Sequence, residues 1–176
     1  TLTAATITYL RAQVEAGAEV IQIFDSWAAA APALEPWVIE PLREIVFALR
    51  QSHPQTPIIL FPRVSTVAAA VAVVQACQPD GLGLSQNLSL VETQAALAAA
   101  GLYPTLQGQY APERLATATP AEITAEVTAM VRQGQGWPGG YIANLGHGVL
   151  PQTPLANVQA FKAGVLAAEK PLTDCG

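Results

Sequence analysis

The chain has 176 residues, 51% of them hydrophobic and 12% charged, which is enough apolar material for one globular domain and too little charge for a disordered one. A net charge of −5 and eight Lys and Arg without a basic cluster exclude a nucleic-acid backbone as the default partner. The longest apolar run, Val67 to Val74, falls far short of the roughly 20 residues that span a bilayer, and no charged segment precedes an apolar core at the N-terminus, so neither a membrane span nor a secretion signal is expected.

In chain order, Ile7, Leu10 and Val14 share one face at helical spacing, which predicts a helix over Thr3 to Ala16 that ends at Gly17. A first residue that already reads as mid-helix, with no initiating Met, predicts a processed or truncated chain. The stretch EVIQIFDS reads as a strand whose apolar residues are dense enough for burial on both faces of a parallel sheet. A helix is expected from Pro36 to Gln51, a strand at Pro57 to Phe61, and a helix over STVAAAVAVVQAC capped by Ser65 or Thr66. DGLGLS, Asp80 to Ser85, is a short third strand, and Ser89 with Glu92 forms a capping box for a helix through Ala100. LYPTLQG is the fourth strand. Thr119, Pro120 and Glu122 open a helix to about Gln133, YIANLG is the fifth strand, and Thr153-Pro154 starts the last helix. Cys77 and Cys175 stand far apart with no CxxC and no His at ligand spacing, which signals neither a disulfide framework nor a zinc site and fits a reducing, cytoplasmic compartment.

Helices alternating with short apolar strands describe parallel βαβ units wound in one direction. Five strands can form an open sheet or most of a (β/α)8 barrel, which itself needs eight. In such folds ligands sit at the C-terminal ends of the strands, where this chain presents Asp25, Ser26, Arg63, Ser85, Gln107, Gln109, Asn144 and His147. Asp25-Ser26 reads equally as a cap for the turn after its strand, Arg63 as a solvated loop charge, and Ser85 and the two glutamines as turn residues. His147, between Gly146 and Gly148, is the strongest candidate. Two glycines free to take positive φ, and the partial positive charge of a helix starting at Thr153, would make a carboxylate-binding corner around it; a tight turn is the alternative. There is no GxGxxG, Walker loop, HExxH or GxSxG.

The blocks GAEVIQIFDSW, PIILFPR, DGLGL, PTLQG and YIANLGHGVLPQTPLANVQA resemble, in order and spacing, the C-terminal part of the uroporphyrinogen decarboxylase family. That resemblance implies a partial TIM barrel, with residues 1–176 a single domain of five βα units and the N-terminal part of the barrel absent from the chain. It implies a cofactor-free, metal-free carboxy-lyase, usually a homodimer, that removes the acetate carboxyl groups of uroporphyrinogen to give coproporphyrinogen in haem and chlorophyll synthesis. Ser26 and His147 match family positions that contact the substrate's carboxylates, Phe24 an apolar wall position, and Arg63 a basic strand-end position. The chain departs from the family's GLDW at Ser85-Gln86 and from LQGNLDP at Gln109, Tyr110 and Ala111. The family's catalytic acid and its RQAGR motif belong to the N-terminal part, so no catalytic residue is expected in this chain and the chain by itself is expected to be inactive.

Two other readings follow from the same residues. The zinc methyltransferases that share the barrel place His-x-Cys where this chain has Phe61-Pro62-Arg63, and one thiolate at Cys175 cannot hold zinc tetrahedrally. A non-catalytic barrel remnant, serving as a structural or binding subunit, would need a second chain to complete or cover its open edge strands.

Overall fold

The computed structural model describes residues 1–169; Cys175 lies outside them. Helix α1 (Leu2–Glu15) is capped by the Thr1 hydroxyl, which accepts from the Ala4 amide at 3.4 Å, and it gives way to Gly17 as expected. Strand β1 (Ile21–Phe24) follows, then a 3-10 turn at Ala28–Ala30 that the sequence reading missed. The helix expected from Pro36 is widened in its first turns. Residues Glu35–Ile39 form a π turn, with the Glu40 amide donating to the Glu35 carbonyl, before α2 (Glu40–Ser52) becomes regular. Pro41 is the physical reason: it has no N–H for the carbonyl four residues back, and its ring crowds that carbonyl.

Strand β2 (Ile58–Phe61) leads to α3 (Val67–Cys77), capped by Thr66 rather than Ser65, with the Ala69 amide 3.2 Å from the Thr66 hydroxyl. β3 (Gly81–Gly83) and α4 (Leu90–Ala99) come next, and Ser89 makes one half of the expected capping box, accepting from the Glu92 amide at 3.3 Å. β4 (Thr105–Tyr110) starts later and ends later than LYPTLQG suggested. Leu102 is still occupied in closing α4 through the Leu97 carbonyl, and the far end is extended because Gln109 and Tyr110 pair with the following strand. A short helix α5 (Pro112–Thr117), signalled only by Pro112 at its first position, precedes α6 (Pro120–Gln135), where Thr119 and Glu122 complete both halves of the capping box. β5 (Tyr141–Leu145) and α7 (Leu155–Glu169) close the described chain.

All five strands are parallel and lie in the order β1-β2-β3-β4-β5. A doubly wound sheet reverses its direction of growth partway, whereas unbroken sequential order is one arc of a barrel. The sheet face under the helices carries Ile58, Leu60, Leu82 and Leu106, all without exposed surface. The central strands match the expectation of burial on both faces. β1 does not: Ile23 is half-buried and Phe24 is 64% exposed. β1 and β5 are edge strands, each with one strand neighbour among the described residues. At the N-terminal end of the sheet, Asp80 accepts from the Ile58 amide at 2.6 Å and pairs with Arg50, tying β2, α2 and the start of β3 together. Among the described residues no helix is long and apolar enough to cross a membrane.

Leu60 sits in a central strand under the helical layer, where truncation leaves a cavity that neighbours held by the ladder cannot refill. Leu60→Ala is expected to destabilise the chain by about 2–5 kcal/mol, read as a lower urea midpoint at unchanged slope.

Candidate functional site

The concave face is shaped by what β3 lacks. A Cβ on Gly83 would lie 2.9 Å from the Phe61 ring, and one on Gly81 3.0 Å from Ile59, so the two large side chains of β2 lean over a strand that has none. Over this bare strip Gln22 of β1 donates from Nε2 to Oε1 of Gln107 on β4 at 2.7 Å. A flat sheet would hold β1 and β4 about 14 Å apart, three strand spacings, so the contact reports a strongly curled sheet. Gln107, read from sequence as a turn residue, is therefore a buried strand residue of the concave face, 8% exposed.

That curvature brings the ends of β1 and β5, at opposite edges of the sheet, to one cleft of about 310 Å³. Phe24 and Ser26 from β1, Phe61 and Arg63 from β2, and Asn144 and His147 from β5 line it. All four residues expected to meet a substrate are thus gathered, while Asp25, Ser85 and Gln109 are not in the lining. Asp25 does what the plainer reading assigned it, accepting from the Trp27 amide at 3.2 Å to close the turn after β1. Ser85 is buried, donates to the Val64 carbonyl at 3.5 Å and forms a turn with Leu88. Phe61 was not singled out from the sequence. Its signal was the register: it stands beside Phe24, and the two rings meet edge to face with centroids 5.8 Å apart. A larger hollow, about 530 Å³, lies at the N-terminal ends of the strands beside Asp80, Tyr103 and Thr105. Its carboxylate is already paired with Arg50, and in a parallel sheet ligands collect at the other end.

The cleft is chemically one-sided. Arg63 is not a solvated loop charge: it is half-buried, its Nε is enclosed, and that atom has no hydrogen-bond partner among the described residues. His147 accepts on Nδ1 from the Gly148 amide at 2.6 Å, which leaves Nε2 as the N–H donor of the neutral ring. With the Ser26 hydroxyl and the Asn144 amide, these groups offer donors and one fixed cation to an anionic ligand, while Phe24 and Phe61 supply an apolar wall. Among the described residues no carboxylate lines the cleft. The glycines beside His147 do not act as expected. Neither takes a positive φ, and Gly146 is required for contact instead, since a Cβ there would lie 2.2 Å from the Gln86 amide nitrogen. The start of α7 is not in the lining either, and Thr153 does not cap it: its hydroxyl is enclosed without a partner among the described residues.

Behind the cleft, Arg114 of α5 reaches α6. It donates from Nη2 to Glu126 at 2.6 Å and to Glu122 at 3.0 Å. The Thr119 hydroxyl and amide, and then Arg114, hold the Glu122 carboxyl down at about 2. Arg114, helped by the Tyr110 hydroxyl, lowers Glu126 against the opposing effect of burial, and burial together with Glu126 raises Tyr110.

A sequentially ordered parallel sheet with a polar cleft at its strand C-termini sets the class: an α/β fold consistent with part of a βα barrel. The uroporphyrinogen decarboxylase family model matches residues 1–165, and the chain belongs to that family. It is 40% identical over 161 residues to the uroporphyrinogen decarboxylase of Rhodospirillum rubrum, covering 89% of this chain and 44% of that protein. The Granulibacter bethesdensis enzyme of the same name gives the same identity and coverage, and that of Gluconobacter oxydans is 38% identical over 95% of this chain and 47% of its own length. The chain therefore spans less than half the length of the curated relatives it matches.

Because the folded Glu122 pKa lies below its unfolded value of about 4.3, its contribution to stability is present above the unfolded value and is lost as pH falls through about 2. Glu122→Gln is expected to lower the melting temperature slightly near neutral pH, and the gap to the wild type should close as thermal scans are taken from about pH 5 toward pH 2.

Proposed function

We propose that this chain forms the C-terminal five βα units of a uroporphyrinogen decarboxylase barrel and supplies its substrate-binding wall. Residues 1–176 are then one partial-barrel domain, and the remaining units lie in the part of the relatives' length that this chain does not span. The observation that carries the reading is the convergence of Ser26, His147, Arg63 and Phe24 on one cleft in a chain of this family. The shared name of the relatives does not favour a retired, non-catalytic barrel.

Uroporphyrinogen carries acetate and propionate side chains on a flexible ring of pyrroles. Loss of carbon dioxide from an acetate leaves its electron pair on the side-chain methylene, from which it enters the protonated ring as an exocyclic double bond; a proton added to that methylene, with release of the ring's extra proton, gives the methyl group. The ring must first take a proton to accept that pair. The family resemblance assigns the catalytic acid to the rest of the barrel, and the role of this chain is then to hold the molecule. Arg63 would pair with a carboxylate that is not reacting, Ser26 and the Nε2 proton of His147 would donate to others, and Phe24 and Phe61 would press on a pyrrole face. Fixing the substrate in this way is worth several orders of magnitude in rate when the acid is in place. The free edges of β1 and β5 support a partner that covers them, the remaining barrel units first and a second subunit after. Burial pushes the Cys77 thiol up to about 11, which keeps it protonated and unreactive; a cytoplasmic setting follows from the family reading alone.

In a protein that carries the whole barrel, Ser26→Ala and His147→Ala should each raise KM for uroporphyrinogen about tenfold, the loss of one hydrogen bond to a charged group, measured as coproporphyrinogen formed. Absence of turnover by the complete wild-type protein would sink the reading.

A further inference from the structure

We propose that Tyr110 is the positioning residue for the His147 loop, through a chain of contacts that runs from helix α6 to the cleft. Tyr110 is the last residue of β4 and is 7% exposed. Its hydroxyl donates to Glu126 Oε2 on α6 at 2.6 Å, and its ring stands edge-on to Phe161 of α7 with centroids 5.8 Å apart. Its carbonyl points the other way along the ladder and accepts from the Gly146 amide at 2.9 Å. Gly146 is the residue immediately before His147, and it is pressed so closely on the Gln86 backbone that no Cβ fits. Tyr110 is thus anchored on its outer side to two helices while its backbone holds the one residue from which His147 is hung.

The anchor is itself braced. Arg114 grips Glu126 from α5, and Asn157 of α7, 5% exposed, donates to the Leu115 and Ala118 carbonyls at 2.7 and 3.0 Å, fixing the segment that leaves Tyr110. A tyrosine is needed for this connection. A leucine could fill the same apolar space between α6 and α7 but has no hydroxyl to reach Glu126. Here, then, the hydroxyl adds a polar tie to a position that packing alone would otherwise hold. The consequence for binding rests on the reading of the cleft as the substrate site; the positioning itself does not.

The chain has two histidines, and His53, bonded to Ser52 at the end of α2, serves as an internal control for His147. Imidazole carbon-bound proton signals and Gly146 amide exchange are to be compared in the wild type and in Tyr110→Phe, which removes only the hydroxyl. The expected result is that the His147 signal shifts, the His53 signal does not, and Gly146 exchanges about tenfold faster through local opening. Glu126→Ala should reproduce the pattern with Tyr110 in place, and it keeps the test open if Tyr110→Phe does not fold. An unchanged His147 signal and Gly146 rate alongside a lower melting temperature would overturn the proposal and leave Tyr110 a packing residue. Equal shifts of both histidines would overturn it as well, since they report general loosening. The readout involves no porphyrinogen, so a shifted loop in a protein that binds none would leave the positioning standing and remove the functional reading instead.

Discussion

Everything at the cleft depends on a strand with no side chains on its concave face. Gly81 and Gly83 let Ile59 and Phe61 lean across β3, and the same open strip lets Gln22 meet Gln107 over two intervening strands. A Cβ at either glycine would press on the Ile59 and Phe61 side chains that occupy this strip, which a flatter arc would leave uncovered. With a flatter arc, the ends of β1 and β5 would separate, and the cleft that both line would cease to exist.

The convex and concave sides of the sheet then divide the work. The convex side is apolar and sealed: Ile58, Leu60, Leu82 and Leu106 lie under the helices with no exposed surface, which is the burial that stabilises a parallel sheet. The concave side keeps its polar groups few and directed. Where polar groups do occur on the helical side, around Arg114, Glu122, Glu126 and Asn157, they join α5, α6 and α7 at the strand ends instead of interrupting the core. Rigidity is therefore concentrated behind the β4 and β5 ends, on the side from which His147 approaches the cleft.

The composition of the cleft matches the division of roles within a barrel. Donors from Arg63, Ser26, Asn144 and His147 beside two aromatic rings suit a ligand with several carboxylates around an apolar framework. A site assembled from the ends of different strands can be shared in this way, because each βα unit delivers its side chains to a common mouth. The departures at Ser85, Gln86 and Gln109 fall outside the lining.

Much of this was legible in one dimension. Local rules set where helices start and strands are buried: a hydroxyl three residues before an amide predicts caps at Thr66, Ser89 and Thr119, and dense apolar runs predict β2 and β3. Ser26, Arg63 and His147 were legible as strand-end side chains in a βα repeat, and Phe24 only through the resemblance to the family. Edge exposure of β1, the late start of β4, and the π turn forced by Pro41 were not, because each depends on which neighbour a strand pairs with or on how a helix resolves a missing donor. Nor were the contacts that span many residues: Gln22 with Gln107, Tyr110 with Glu126 and Gly146, and Gly146 against Gln86. The sequence by itself determined the alternation of elements and the chemical types delivered to the strand ends, since periodicity and caps act over a few residues. Only the tertiary structure decided that β1 and β5 meet at one cleft and that glycine before His147 serves close packing rather than a left-handed turn, because curvature and backbone approach are set by strands far apart in the chain.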